Sequence, residues 1–429
     1  MRGDFKGAIG DKRMTDRERR GWVVVGALFT TLFFIWGAIN SGGVFVIPVL
    51  KYFGWTRARI STLAAVSALA GGAAGPFVGW MLDRVDARKV MVAGAGVYAL
   101  GLFVLSRANS FGTFFVVYVI FGISSAASTI LPSSVVIANW FEERRGLAMS
   151  IAFTAVSLGG AAMTIVVNYA IKLSGWRLGC VALGVPIAAL VLPMLFVVVR
   201  TRPAAEPATP GAADDPAQTV VEVPGLEMRQ ALRTRSLWML ALAFLLANCI
   251  GSGVGFHFIA YLIGIGYSAT FAAGTASVSL LFVALGSLVA GPLADRVGAR
   301  TALAIAVGAW SIGMLLLLDA RQGPALAGYV VLGGFLFGAP WVLGTLAVVE
   351  SMGIRRLGSV LGFLGIFSTI GMAIGPVVTG RIFDETHSYH PAFWLFIALS
   401  AVCAVAVSAC LPLEREQERL AAPAASAAA

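Results

Sequence analysis

The stretch Gly79-Trp80-Met81-Leu82-Asp83-Arg84-Val85-Asp86-Ala87-Arg88 returns 212 residues later as Gly291-Pro292-Leu293-Ala294-Asp295-Arg296-Val297-Gly298-Ala299-Arg300. The glycine, the aspartate and both arginines keep one offset. The same offset carries Arg144 to Arg356, Gly146 to Gly358 and Gly159 to Gly371. Polar and glycine positions that coincide at one fixed spacing mean that a single structural unit occurs twice along the chain.

The residues around this repeat fix its setting. The chain has 429 residues, 59% apolar and only 12% charged, with mean hydropathy +0.88. A soluble domain is about 45–50% apolar and about 25% charged. An ordinary soluble enzyme and a disordered chain are therefore excluded. The apolar runs are long and continuous, unlike the short alternating segments of a membrane barrel. At about 20 apolar residues per crossing, they predict helices at 22–49, 60–82, 90–106, 111–139, 146–171 and 178–199. A second set is predicted at 237–263, 271–294, 301–318, 325–349, 357–382 and 392–412. The expected fold class is an all-α membrane protein: twelve transmembrane helices in two pseudo-symmetric six-helix bundles.

The predicted organisation is a polar tail at 1–20, bundles at 21–199 and 236–412, a connection at 200–235 and a tail at 413–429. The connection carries Pro203, Pro207, Pro210, Pro216 and Pro224 with Asp214, Asp215 and Glu222. That composition reads as a solvated linker. No cleaved signal peptide is expected, because the first apolar run far exceeds a short signal core. If both termini lie in the cytoplasm, 23 of the 31 Lys and Arg fall inside and 8 outside. The positive-inside rule predicts that orientation, in a plasma (inner) membrane. It also accounts for the net charge of +10 without nucleic acid. Cys180, Cys249, Cys403 and Cys410 fall in apolar runs and read as packing residues. The chain contains no Gly-Lys dipeptide, so no Walker A loop and no ATP-driven pump. No catalytic cluster, cofactor or metal is predicted.

The doubled Gly-x-x-x-Asp-Arg-x-x-x-Arg loop, the two six-helix halves and the long middle linker resemble the major facilitator superfamily. The likeness extends over essentially the whole chain. It implies two bundles rocking about a central cavity, with alternating access, and a monomer. Gly43-Val44-Phe45-Val46-Ile47-Pro48, Phe53-Gly54-Trp55-Thr56-Arg57 and Trp140-Phe141-Glu142-Glu143-Arg144-Arg145-Gly146 are similar to the monocarboxylate and oxalate/formate branch. So are Gly375-Pro376, Asp384, Tyr389 and Ala392-Phe393. That likeness implies a small-molecule partner, a small organic anion such as a mono- or dicarboxylate, moved by proton symport or exchange. A carboxylate at a helix end can accept from backbone amides at a neighbouring helix N-terminus and pair with arginine. The expected gating set is therefore Asp83, Arg84, Arg88, Arg144, Asp295, Arg296, Arg300 and Arg356. The competing reading of these charges is a topology-determining cluster.

The predicted membrane interior carries no acidic or basic residue; all 31 basic and 21 acidic positions fall in loops or at helix ends. The resemblance would imply an arginine in the eighth helix, yet 271–294 has no Arg or Lys, and 357–379 has none either. This leaves a second cargo in play, a neutral or amphipathic metabolite or drug. A third reading, a non-transporting membrane sensor, need not alternate and fits the doubled motif less well. His257 is the ionisable group with a near-neutral pKa inside a span. It sits in Gly251-Ser252-Gly253-Val254-Gly255-Phe256-His257, where alternate glycines predict a kink. Asn40-Ser41-Gly42-Gly43 predicts a matching break in the first helix, and paired interruptions point to a binding site. The expected substrate-pathway residues are Asn40, Trp36, Ser128, Asn248, His257, Tyr261 and Trp341. For each, packing between helices is the alternative.

Overall fold

In the computed structural model, residues 16–201 and 224–426 are described. The first-half helices are α1 (Asp16–Asn40), α2 (Gly42–Phe53), α3 (Arg57–Leu82), α4 (Ala87–Ser106), α5 (Phe111–Ser128), α6 (Ile130–Trp140), α7 (Arg145–Pro186) and α8 (Leu192–Val198). The rest are α9 (Met228–Ala231), α10 (Arg235–Gly264), α11 (Ala269–Val297), α12 (Ala299–Leu318), α13 (Gly323–Gly328), α14 (Gly334–Met352), α15 (Leu357–Thr386), α16 (His390–Ser408) and α17 (Leu413–Ser426). Among the described residues the β structure is one isolated bridge, Gly225 to Gly353.

Eleven helical stretches are long and apolar enough to cross a membrane, and the fifth, Arg145–Val198, runs 54 residues. A straight helix of that length would rise about 80 Å, more than two hydrocarbon cores. It is broken at Ser174 and at Gly175, where φ is +79°. Glycine takes that left-handed conformation without a Cβ clash, so the stretch returns across the layer. Twelve crossings result, and the all-α twelve-helix fold is present. The first crossing breaks at Ser41, whose N–H and hydroxyl both donate to Gly37 O. The fourth breaks at Thr129 (φ −114°, ψ −123°). The seventh does not break: α10 runs unbroken through Gly251, Gly253 and Gly255. A methyl at Gly253 would meet the Phe396 ring and Gly375 O, and one at Gly251 would meet Phe337. These two glycines permit close approach, not a kink, so the expected paired interruption exists only in the first half.

The Asp83 and Asp295 loops lie at the same end of the bundle as Asp16 and Leu413. We call it the motif end. There the chain departs from a freely solvated linker and tail. Residues 202–223, with four of the five linker prolines, lie outside the described residues, as do 1–15 and 427–429. From Pro224 the connection is docked: Leu226 N donates to Met352 O and Ile354 N to Pro224 O, both at 3.0 Å. Leu226 is buried. The final segment is helix α17, held by Glu416, which is 2% exposed and accepts from Ser236 N and its hydroxyl.

Candidate functional site

The two copies of the motif act on the opposite bundle. The Asp83 carboxylate accepts from Gly358 N at 3.1 Å, Ser359 N at 3.0 Å and the Ser359 hydroxyl, at the N-terminus of α15. Asp295 accepts from Gly146 N at 3.0 Å and Leu147 N at 3.2 Å, at the N-terminus of α7. Each carboxylate thus meets free amides and the positive end of a helix dipole. Burial pushes the Asp83 carboxyl above its ordinary pKa, with the Ser359 and Gly358 bonds and Arg356 pulling it back. Glycines let the backbones approach. A methyl at Gly146 would overlap Gly291 O, and one at Gly79 would overlap Gly358 O. These pairs are symmetry mates at the 212-residue offset. Above them, Gly75 faces Gly362 and Gly72 faces Thr369. The bundles are therefore sealed from mid-layer to the motif end.

The arginines divide. Arg356 donates to Glu227 at 2.8 Å, beside Arg355 at 3.1 Å from the same carboxylate. The Arg356 bond holds the Glu227 carboxyl below its usual pKa. Arg84 stacks over Trp80 at 4.2 Å, and Arg88 donates to Phe196 O at 3.3 Å, both within the first bundle. Arg300 pairs with Glu350 at 2.8 Å and donates to Cys410 O at 2.7 Å, within the second. The side chains of Arg144 and Arg296 make no ion pair or hydrogen bond among the described residues. Ser359 and Glu227 were not legible: at the 212-residue offset Ser359 matches Leu147, and Glu227 sits in the segment read as linker.

Between the bundles lies a cavity of about 730 Å³. The first bundle contributes Trp36 and the broken fourth crossing (Ala126, Thr129, Ile130, Leu131, Ser134). The second contributes Asn248, Ser252 and Phe256 of α10, Trp310 of α12, Phe337, Trp341 and Thr345 of α14, Ser368 and Pro376 of α15, and Cys403 of α16. Every lining residue is uncharged; none is Asp, Glu, Lys, Arg or His. At the Thr129 break, Ser125, Ser128 and Thr129 hydroxyls donate to Gly122 O, Ser124 O and Ser125 O at 2.7–2.9 Å. They stitch the end of α5 and leave α6 to begin inside the cavity wall.

Of the expected pathway residues, the structure brings Trp36, Asn248 and Trp341 together around this cavity. Ser128 is fully buried and bonded to its own helix; its neighbour Thr129 lines the wall instead. Tyr261 is 3% exposed and donates to Leu317 O, so it packs α10 against α12. Asn40 caps the end of α1, where its amide faces Gly160. His257 is half-buried beyond the wall, with Nε2 3.0 Å from Pro376 O and Nδ1 3.4 Å from the Tyr389 hydroxyl. Trp310, Phe337 and Thr129 were missed, because aromatic and small hydroxyl residues at helical spacing look alike whether they pack or line a void. The four cysteines are buried and unpaired; Cys403 also reaches the cavity wall.

The model of the Major Facilitator Superfamily matches residues 27–283 and 264–429. The chain belongs to that family of membrane transporters, and it is a transporter, not an enzyme. Monocarboxylate transporter 13 of Bos taurus is 26% identical over 376 residues, 87% of this chain and 85% of that one. The uncharacterized transporter YcxA of Bacillus subtilis is 26% identical over 411 residues, 92% of this chain and 94% of that one. Among solved structures, the human organic anion transporter MFSD10 superposes with TM-score 0.72 at 18% identity, covering 90% of this chain and 99% of that one. The E. coli fucose:proton symporter FucP gives 0.68 at 16%, covering 89% and 97%. These two likenesses concern the fold.

Proposed function

We propose that the protein is a secondary active transporter that moves a small organic carboxylate by alternating access, in symport with a proton or by exchange. The observation that supports this most directly is the enclosed wall between two bundles that are sealed at one end only by reversible contacts. Asp83 and Asp295 make hydrogen bonds across the bundle interface, and rocking of residues 21–199 against 236–412 would break both sets together. A static sensor has no need of two matched seals. The 26% identity to a monocarboxylate transporter over most of both chains supports the carboxylate class. With the motif end in the cytoplasm of a plasma (inner) membrane, the conformation described is outward-facing. Asp83, Asp295 and Arg356 then form the inner gate, and Trp36, Asn248 and Trp341 the substrate path. The working unit in this proposal is the monomer.

A second reading keeps the mechanism and changes the cargo to a neutral or amphipathic metabolite; the uncharged wall favours it. The test is thermal unfolding of detergent-purified protein against small carboxylates, neutral metabolites and lipophilic cations at pH 5.5 and 7.5. A ligand at 100 times its dissociation constant stabilises its state by about 2.7 kcal/mol. Stabilisation by carboxylates, stronger at pH 5.5, supports the first reading. Stabilisation by neutral compounds with carboxylates silent replaces it with the second.

A further inference from the structure

The cavity wall presents neutral donors and neutral acceptors side by side. Thr129 donates its hydroxyl hydrogen to Ser125 O at 2.7 Å and Thr345 to Trp341 O at 3.3 Å. Their oxygens keep lone pairs as acceptors. The Asn248 amide donates one hydrogen to Phe244 O at 2.8 Å and keeps its second N–H and its carbonyl oxygen for a ligand. The Trp36 and Trp310 indole nitrogens are buried away from the void, so these rings contribute apolar wall.

A carboxylate is acceptor-only. Against this wall it would set its charge beside hydroxyl and amide oxygens with no cation to balance it. The N-terminus of α6 supplies at most roughly half an elementary charge. The protonated acid is one donor and one acceptor, which is what the wall offers. Among the described lining residues, the titratable side chain is the Cys403 thiol.

We propose, building on the carboxylate reading above, that the cavity takes its cargo as the uncharged acid, so that the coupling proton travels on the substrate's own carboxyl. A proton from outside water joins the carboxylate, forming one O–H bond. The neutral acid crosses as the bundles rock, and the same bond dissociates into water on the far side. One proton moves with each carboxylate, and no net charge crosses. The carbonyl oxygen accepts from the Asn248 amide, and the acid hydrogen is donated to a wall hydroxyl. His257 is a positioning residue in this scheme. Its Nε2 lies 3.0 Å from Pro376 O and its Nδ1 3.4 Å from the Tyr389 hydroxyl, so the ring bridges α10, α15 and the start of α16. The charged groups on the facing turns of α15 are Arg381, Asp384 and Glu385. Arg381 is paired with Glu385 at 3.0 Å, and the charge of Asp384 acts on Tyr389.

The experiment uses the full chain in proteoliposomes, with equal pH on both faces set to 5.5, 6.5 or 7.5. Initial uptake of labelled pyruvate, lactate, butyrate and benzoate is measured above that of protein-free vesicles. Well above the acid's pKa the neutral fraction rises about tenfold per unit fall in pH. The KM expressed as total carboxylate should therefore fall about tenfold per unit, and uptake should ignore an imposed membrane potential. His257→Gln should keep that slope. Asn248→Leu should raise KM several-fold and leave the slope unchanged. Uptake with a pH-independent KM, uptake driven by membrane potential, or a slope lost in His257→Gln overturns this proposal and spares the carboxylate reading. Uptake of none of the four acids, while a neutral metabolite is carried, overturns both.

Discussion

Asp83 accepts three hydrogen bonds from Gly358 and Ser359, while its repeat mate Asp295 accepts two from Gly146 and Leu147. The difference is one hydroxyl. Ser359 stands where the first half has Leu147, so the seal between α3 and α15 holds one more charge-assisted bond than the seal between α11 and α7. Hydrogen bonds to a charged group contribute about 1.5–3 kcal/mol. The two seals differ at the carboxylate; in the α11–α7 seal a hydroxyl enters elsewhere, where Ser150 accepts from Gly291 N at 2.8 Å.

Asp83→Asn should loosen the motif end more than Asp295→Asn. Both lose the charge; at position 83 a side-chain donor is left without its acceptor as well. Spin labels on cysteines at the exposed positions Lys89 and Arg233 report the opening as a distance distribution. The open fraction should rise about 5- to 30-fold for Asp83→Asn, the equivalent of 1–2 kcal/mol. Equal distributions for the two variants would contradict the asymmetry. The four native cysteines are buried, so background labelling should be low.

Gly146→Ala should disrupt the seal where Gly26→Ala does not. A methyl at Gly146 would overlap Gly291 O, whereas one at Gly26 meets nothing within 4 Å. Overpacking of this kind costs about 1–3 kcal/mol. Gly26→Ala should be neutral or stabilising by up to about 1 kcal/mol, since alanine favours helix. Thermal unfolding midpoints of the two variants, moving in opposite directions from the parent, are the check.

Glu416→Ala should release α17. The carboxylate sits on the N-terminus of α10 at Ser236, and its removal leaves a buried N–H and hydroxyl unmet, a cost of about 1–3 kcal/mol. The measurement is hydrogen exchange across 413–421, expected to rise at once, with exchange in α15 unchanged. Unaltered protection of 413–421 would show that Leu413 and Leu420 hold the helix without the carboxylate.

The Glu227 clasp should fail in acid. Its carboxyl titrates below the usual value because Arg356 donates to it, with opposing desolvation and the charge of Arg355 adding to the lowering. A lowered pKa in the folded state means the stabilisation is present above the unfolded value, near 4.5. It is lost as pH falls through the folded one. Parent and Glu227→Gln should therefore differ in unfolding midpoint at pH 7 and converge as pH falls below about 4. A difference that persists to pH 3 would place the effect in packing.

Some of the site could be seen in the sequence because its chemistry is local. Asp83 and Asp295 stood out as polar residues repeated at one offset, and the break at Ser41 as a run of residues that weaken a helix. Others were invisible for a stated reason. Glycine is written the same way where a helix kinks and where two helices touch, so Gly251 and Gly253 were read as a break and are contacts. Ser128 was read as a pathway residue and packs within its helix, while its neighbour Thr129 lines the wall. The Glu227 and Glu416 anchors depend on partners 129 and 180 residues away.

The sequence alone determined the membrane class, the twofold repeat and its two loop carboxylates, because hydropathy and a repeated polar motif are properties of the chain read in one dimension. The tertiary structure decided which amides those carboxylates meet, which polar residues face the void and which only pack, and that the void is uncharged. Those are contacts between segments far apart in the chain. A side chain's environment is set by the helices across from it, whose identity no local pattern carries.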